Sequence, residues 1–164
     1  VDQEEDAMAL EWNVKDFSVE DLLSLAAEME QKGYDFYTEV IEKSPERRVK
    51  NEIRFLREEE ARHKVVFLDM LKKKGKSPSA KLSGALSEIL QREIIAPLAA
   101  LHASKKIASN SDALNFGVAL ERKSIDFYKA LAALPGASAL AADIAAVIAE
   151  EEGHLRKLSV MMAY

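Results

Sequence analysis

The chain has 164 residues, 48% of them apolar and 31% charged, with a formal charge of −5 and no cysteine. That length and balance suit one folded domain with a continuous core, and a net-acidic chain with interspersed bases argues against a nucleic-acid partner, which needs a concentrated basic patch. The lack of cysteine excludes disulfides, thiolate metal sites, iron–sulfur clusters and cysteine nucleophiles.

Only 4 Pro and 6 Gly occur, and the abundance of Ala, Leu, Glu and Lys favours helix. No stretch approaches the roughly 20 apolar residues of a membrane span, and the acidic start Val1–Glu11 is unlike a signal peptide. A cytoplasmic protein with no membrane partner is expected. Residues 1–17 read as a flexible lead-in that Trp12 and Phe17 can anchor, and residues 18–164 as one helical domain.

Ser18, with Asp21 three residues on, is an N-cap with an acidic capping-box-like partner. Leu22, Ala26, Glu30, Gly33, Tyr37 and Val40 then recur at helical spacing to about Lys43. Ser44-Pro45 starts a second helix, whose stripe is Val49, Ile53, Leu56, Glu60, His63, Phe67 and Met70. The short link makes the two helices antiparallel neighbours. Lys72–Lys76, around Gly75, places cations at that helix's C-terminus, where the helix dipole favours them. Residues 75–83 break helix. A partly helical crossover follows, with Pro97 expected to interrupt it.

A third helix is predicted from about Asp112 to Leu134, with Leu114, Val118, Glu121, Ile125, Tyr128 and Leu131 inward. Pro135-Gly136 stops it. The fourth is predicted from about Ser138 to Met162, along Leu140, Ile144, Val147, Glu151, His154, Leu158 and Met161. No segment alternates with period two. The fold class is therefore all-α: a four-helix bundle made of two helical hairpins joined by a long crossover.

The stretch EQKGYDFY at Glu30–Tyr37 returns as ERKSIDFY at Glu121–Tyr128, 91 residues later. The same offset relates Glu60 to Glu151 and His63 to His154. Each half thus carries one Glu on its first helix and Glu-x-x-His on its second, and a three-residue separation puts both side chains of that motif on one face. Four carboxylates and two imidazoles on apolar stripes are costly unpaired. Two metal ions remove that cost, and mixed Glu/His ligation suits iron or manganese. This is the ligand set of di-iron and di-manganese carboxylate bundles.

A single Glu-x-x-His on a helix is common and binds nothing in most cases. The joint register of two copies is what favours metal. Glu58, Glu59, Glu150 and Glu152 read as solvated acids, Asp35 and Asp126 as off-stripe surface or interhelix residues, and His102 as structural or exposed. Gly33 and Ser124 are the small residues one turn after the first-helix acids.

From about Phe17 to Met162 these motifs resemble the rubrerythrin-like branch of the ferritin-like superfamily. The resemblance implies that the metal ligands are Glu30, Glu60, His63, Glu121, Glu151 and His154, around two iron ions, with manganese or a mixed pair as alternatives. The family's helix tyrosines correspond to Tyr37 and Tyr128, which approach ligand carboxylates from the opposite half. Two departures stand out. The rubredoxin domain of rubrerythrins proper is not expected here, so electrons would come from an external donor such as a rubredoxin-like protein. The family's extra glutamate three residues after the third-helix ligand is replaced by Ser124. The expected function is a non-haem di-iron oxidoreductase reducing hydrogen peroxide or dioxygen. Ferrous-iron oxidation, substrate hydroxylation and non-catalytic metal binding are the alternatives. A homodimer is expected, paired along Ile89, Ile94, Ile95 and Leu98.

Overall fold

In the computed structural model, residues 14–76 and 82–163 are described. Trp12 lies outside them. Val14 is buried and Phe17 packs partly buried on the core, so packing begins before the first helix. Ser18 caps that helix as its sequence predicts, its hydroxyl oxygen accepting from the Asp21 N–H at 3.1 Å, and α1 runs Val19–Lys43. Ser44 closes it by donating its N–H to the Val40 carbonyl at 2.8 Å. Its hydroxyl donates to Asn110 Oδ1 at 2.9 Å, which ties the end of α1 to the start of the third long helix.

The second helix, α2, spans Arg47–Lys73. It ends in a Schellman motif, with the Lys76 N–H on the Leu71 carbonyl at 3.1 Å and the Gly75 N–H on the Lys72 carbonyl at 3.0 Å. Gly75 takes φ +74°, a left-handed turn that glycine enters without a Cβ clash.

The crossover is more helical than the sequence suggests. It comprises α3 (Gly84–Leu90), a π-helical turn (Gln91–Ile95) and α4 (Ala96–Ala103). Pro97 does not interrupt it, because it falls in the first turn of α4, where a missing N–H is tolerated. Proline has no N–H to give to the carbonyl of Glu93, four residues back. Lys123 Nζ donates to that carbonyl instead, at 2.6 Å. Leu86, Leu90 and Ile94, four residues apart, turn into the bundle, and α3 lies against α1. Ile94 is only 1% exposed, while Ile89, Ile95 and Leu98 pack partly buried on the core. Of the apolar set expected to face a second copy, Ile94 is thus spent inside the chain, while Ile89, Ile95 and Leu98 keep part of their surface exposed.

The third long helix, α5, spans Asn110–Ala132. Pro135–Leu140 forms a 3-10 turn before α6, Ala141–Met162, so the last helix begins later than its sequence suggests. Proline and glycine together favour the tighter turn. Helix α1 packs along α2 and α5 along α6, while α1–α5 and α2–α6 contacts join the hairpins. Aromatic pairs also join the hairpins, one from α1 to α5 and one from α2 to α5. Phe36 meets Phe116 and Phe67 meets Tyr128, each with ring centroids 4.8 Å apart, and such pairs contribute about 0.5–1.5 kcal/mol beyond burial. Among the described residues there is no strand, and no single helix is long and apolar enough to cross a membrane.

Candidate metal centre

Helix length decides where the special residues meet. Glu30 is the twelfth of 25 residues in α1 and Glu60 the fourteenth of 27 in α2. Glu121 is the twelfth of 23 in α5 and Glu151 the eleventh of 22 in α6. All four stand midway along antiparallel neighbours, so they reach one level of the bundle. Each is at most 3% exposed, as are His63 and His154.

The six side chains form two groups that share two members. Ligand atoms of Glu30, Glu60, His63 and Glu151 lie within 4.8 Å of one another, as do those of Glu60, Glu121, Glu151 and His154. Glu60 and Glu151 belong to both. His63 Nδ1 lies 3.1 Å from Glu151 and 3.7 Å from Glu30. His154 Nδ1 lies 2.9 Å from Glu151, 3.3 Å from Glu60 and 3.7 Å from Glu121. The two rings are near-parallel, with centroids 5.5 Å apart.

Both tyrosines cross between hairpins. Tyr37 Oη donates to Glu121 Oε1 at 2.5 Å, and Tyr128 Oη donates to Glu30 Oε1. Burial, then the charge of the carboxylate each one faces, pushes both phenols well above their ordinary value. They remain protonated donors.

Donor atoms are left over. Glu30 Oε2, Glu60 Oε1, Glu151 Oε2 and both nitrogens of His154 are buried with no hydrogen-bond partner. A buried polar atom left without a hydrogen bond costs about 1–3 kcal/mol, and here only the close approaches of His154 Nδ1 to Glu151 and Glu60 offset that cost. Burial, followed by the neighbouring carboxylates, drives the carboxyls of Glu60 and Glu151 far above the usual range. Burial also opposes ionisation of Glu121, but the neighbouring His154 and Glu151 outweigh it and hold this carboxyl low. Cations between the two groups would satisfy the orphaned atoms and relieve the carboxylate repulsion together. The donor set, all oxygen and imidazole nitrogen, suits first-row metals.

Gly33 has a specific task. A Cβ there would stand 2.3 Å from Glu60 Oε2 and 3.1 Å from its carboxyl carbon. Only glycine lets the Glu60 carboxylate lie against α1. Ser124, its counterpart, is buried. On the α1/α2 face a cleft of about 210 Å³ reaches the centre, lined by Glu30, Gln31, Tyr34, Glu58, Glu60, Ala61 and Lys64. Lys64 Nζ donates to Gln31 Oε1 across it at 2.7 Å.

Other residues fall as follows. His102 is exposed and its Nε2 meets Glu39 at 2.5 Å, away from the centre. Asp35 accepts from Gln31 Nε2 at 2.8 Å, and Asp126 is exposed. Glu150 is not the solvated acid its sequence suggests. Its Oε2 lies 2.6 Å from His63 Nε2. Burial opposes the His63 cation, but the negative charges of Glu30 and Glu150 prevail and raise its pKa. The signal available in sequence was only adjacency, one residue before Glu151.

No curated protein and no solved structure gives a significant match to the chain. The family model of Rubrerythrin matches residues 21–162, a span that contains all four long bundle helices but for the first two residues of α1. Rubrerythrins are di-iron carboxylate proteins, in keeping with the two acid and histidine groups. The chain belongs to the rubrerythrin family.

Proposed function

We propose that the protein is a non-haem di-iron oxidoreductase that reduces hydrogen peroxide or dioxygen with electrons from an external donor. The observation that carries this reading is the pair of donor groups sharing Glu60 and Glu151, with unpartnered buried atoms in both. Glu60 and Glu151 would bridge two ions, Glu30 and Glu121 would bind one each, and His63 and His154 would complete the set. Iron suits the donors, with manganese or a mixed pair as the alternative filling. When bound, such a pair supplies electrons and open coordination positions for a small oxidant.

The chain's own residues do the rest. Tyr37 and Tyr128 keep their protons and use them to hold Glu121 and Glu30 in place from the opposite hairpin. Leu56, Phe67 and Leu158 are fully buried and help keep bulk water from the centre. The cleft of about 210 Å³ suits a peroxide or dioxygen molecule. Its small volume and the charged side chains of Glu30, Glu58, Glu60 and Lys64 favour a small polar molecule over a bulky organic substrate, and so disfavour hydroxylation.

The same lining supports a second reading, ferrous-iron oxidation. Glu58, Glu30 and Glu60 would draw a cation inward. Stopped-flow mixing of the anaerobic ferrous protein with H₂O₂ and, separately, O₂ distinguishes the two. The first reading requires faster oxidation by H₂O₂ and turnover with a reduced rubredoxin-like donor. Repeated consumption of added Fe(II) with O₂ supports the second. No spectral change with either oxidant contradicts both. We place the protein in the cytoplasm and as a homodimer, the latter tested by light scattering, where a monomer mass would contradict it.

A further inference from the structure

We propose that Arg62 and Glu150 make the two metal positions unequal, so that an ion on the His63 side is held more tightly than one on the His154 side. The inference rests on the metal-centre reading above and adds to it two positioning residues outside the ligand set.

The 91-residue offset extends past the ligands. Glu59 corresponds to Glu150, each standing one residue before a shared glutamate. By symmetry Glu59 would serve His154 as Glu150 serves His63. It does not. Glu59 gathers with His63 and Glu150 in a third group whose ligand atoms lie within 4.8 Å of one another. Meanwhile His154 Nε2 is buried without a partner.

The symmetry breaks at one position. Arg62 of α2 corresponds to Gly153 of α6. Arg62 grips Glu59 through Nη2 at 2.8 Å and Nε at 3.3 Å, and the same Nη2 donates to Glu150. One guanidinium thus fixes both acids, using the fork geometry that lysine lacks. On α6, Gly153 offers no side chain for the purpose.

The consequence lies in the imidazoles. His63 Nε2 is 2.6 Å from Glu150 and 3.4 Å from Arg62, so the carboxylate contact decides the tautomer. An ionised carboxylate only accepts, which puts the proton on Nε2 and leaves the Nδ1 lone pair toward Glu151 and Glu30. A histidine ligand so supported is oriented and more basic, and loss of such a partner typically costs about 10–100-fold in metal affinity. His154 presents its Nδ1 to Glu151, Glu60 and Glu121 with no such support at Nε2.

The test uses metal-free full-length protein with ¹⁵N-labelled histidine, titrated with Zn(II) and followed by NMR. The first equivalent should shift the Nδ1 resonance of His63, and the second that of His154. Glu150→Ala should weaken the first step by about 10–100-fold and move the His63 Nε2–H signal while leaving that of His154 in place. Both side chains are partly exposed, so the fold tolerates their removal. Arg62→Ala provides a second variant expected to narrow the gap in the same direction. Two histidines that shift together from the start, or a first step unchanged in Glu150→Ala, overturn the inequality alone. No Zn(II) uptake at all overturns the metal-centre reading, and the inequality with it.

Discussion

Tyr37 on α1 donates its phenolic proton to Glu121 on α5, and Tyr128 on α5 returns the same bond to Glu30 on α1. The two bonds cross between hairpins at the level of the candidate centre, so they couple hairpin docking to the placement of both acids. The exchange is reciprocal because the sequence is duplicated.

Replacement of either tyrosine should therefore cost both stability and site order. Tyr37→Phe keeps the ring packing and removes one bond to a buried carboxylate, worth about 1–3 kcal/mol. Tyr128→Phe should cost a similar amount. Urea unfolding of the metal-free proteins measures both. No loss in either would show that the bonds hold nothing.

Two of the helical glycines, Gly33 and Gly153, should respond oppositely to a single methyl group. Gly33→Ala drives a Cβ into Glu60, so metal affinity should drop while helix content stays. Gly153→Ala meets nothing nearer than an Arg156 nitrogen at 3.7 Å. It should stabilise the metal-free protein by about 0.5–1 kcal/mol through helix propensity. Calorimetric metal titration and thermal melts read the two effects.

The pH response follows from the raised groups. Glu60 and Glu151 have folded values far above the ordinary 4.5. Their contribution to metal-free stability is full below that value and is lost as pH rises through the folded value. His63, raised from 6.5, behaves in the same sense at higher pH. Glu121, Glu59 and Glu150 are lowered from 4.5 and act oppositely, but their contribution is lost only as pH falls below that range. Between about pH 5 and 8 the raised groups therefore decide. Metal-free protein should melt progressively lower across that window, and the gap to metal-loaded protein should widen, because metal displaces the protons. A gap that narrows with rising pH would contradict this.

Access can be tested at Ala61. Ala61 lines the α1/α2 cleft and is not itself a candidate ligand, so a tryptophan there obstructs the cleft while all six candidate ligands are kept. Oxidation of the ferrous protein by H₂O₂ should slow by about tenfold, or ~1.4 kcal/mol on the barrier. Metal content should be unchanged. An unaltered rate would place the entry route elsewhere.

The gathering of the six candidate ligands was legible in the sequence because duplication made it so. Glu30, Glu60, His63 and their partners 91 residues on share stripes with apolar neighbours, and helical spacing alone brings them to one level. The crossover was read less well. Pro97 suggested a break, but a π turn before it and the Lys123 ammonium on the Glu93 carbonyl accommodate the missing N–H. Ile94 was assigned outward, although Leu86, Leu90 and Ile94 already showed a four-residue stripe. Glu150 escaped notice because it stands about 100° around the helix from Glu151. Only the approach of α2 brings His63 to it.

The most direct test of the central claim is metal stoichiometry after anaerobic Fe(II) loading and removal of loosely bound ion, measured by elemental analysis. The wild-type chain should retain about two ions, as a dinuclear carboxylate centre requires. Glu60→Ala and Glu151→Ala should each lose affinity at both positions, because each removes a residue common to both groups. A wild-type protein that retains no iron, or that binds it as well without Glu60 and Glu151, would contradict the assignment of this cluster as a metal centre.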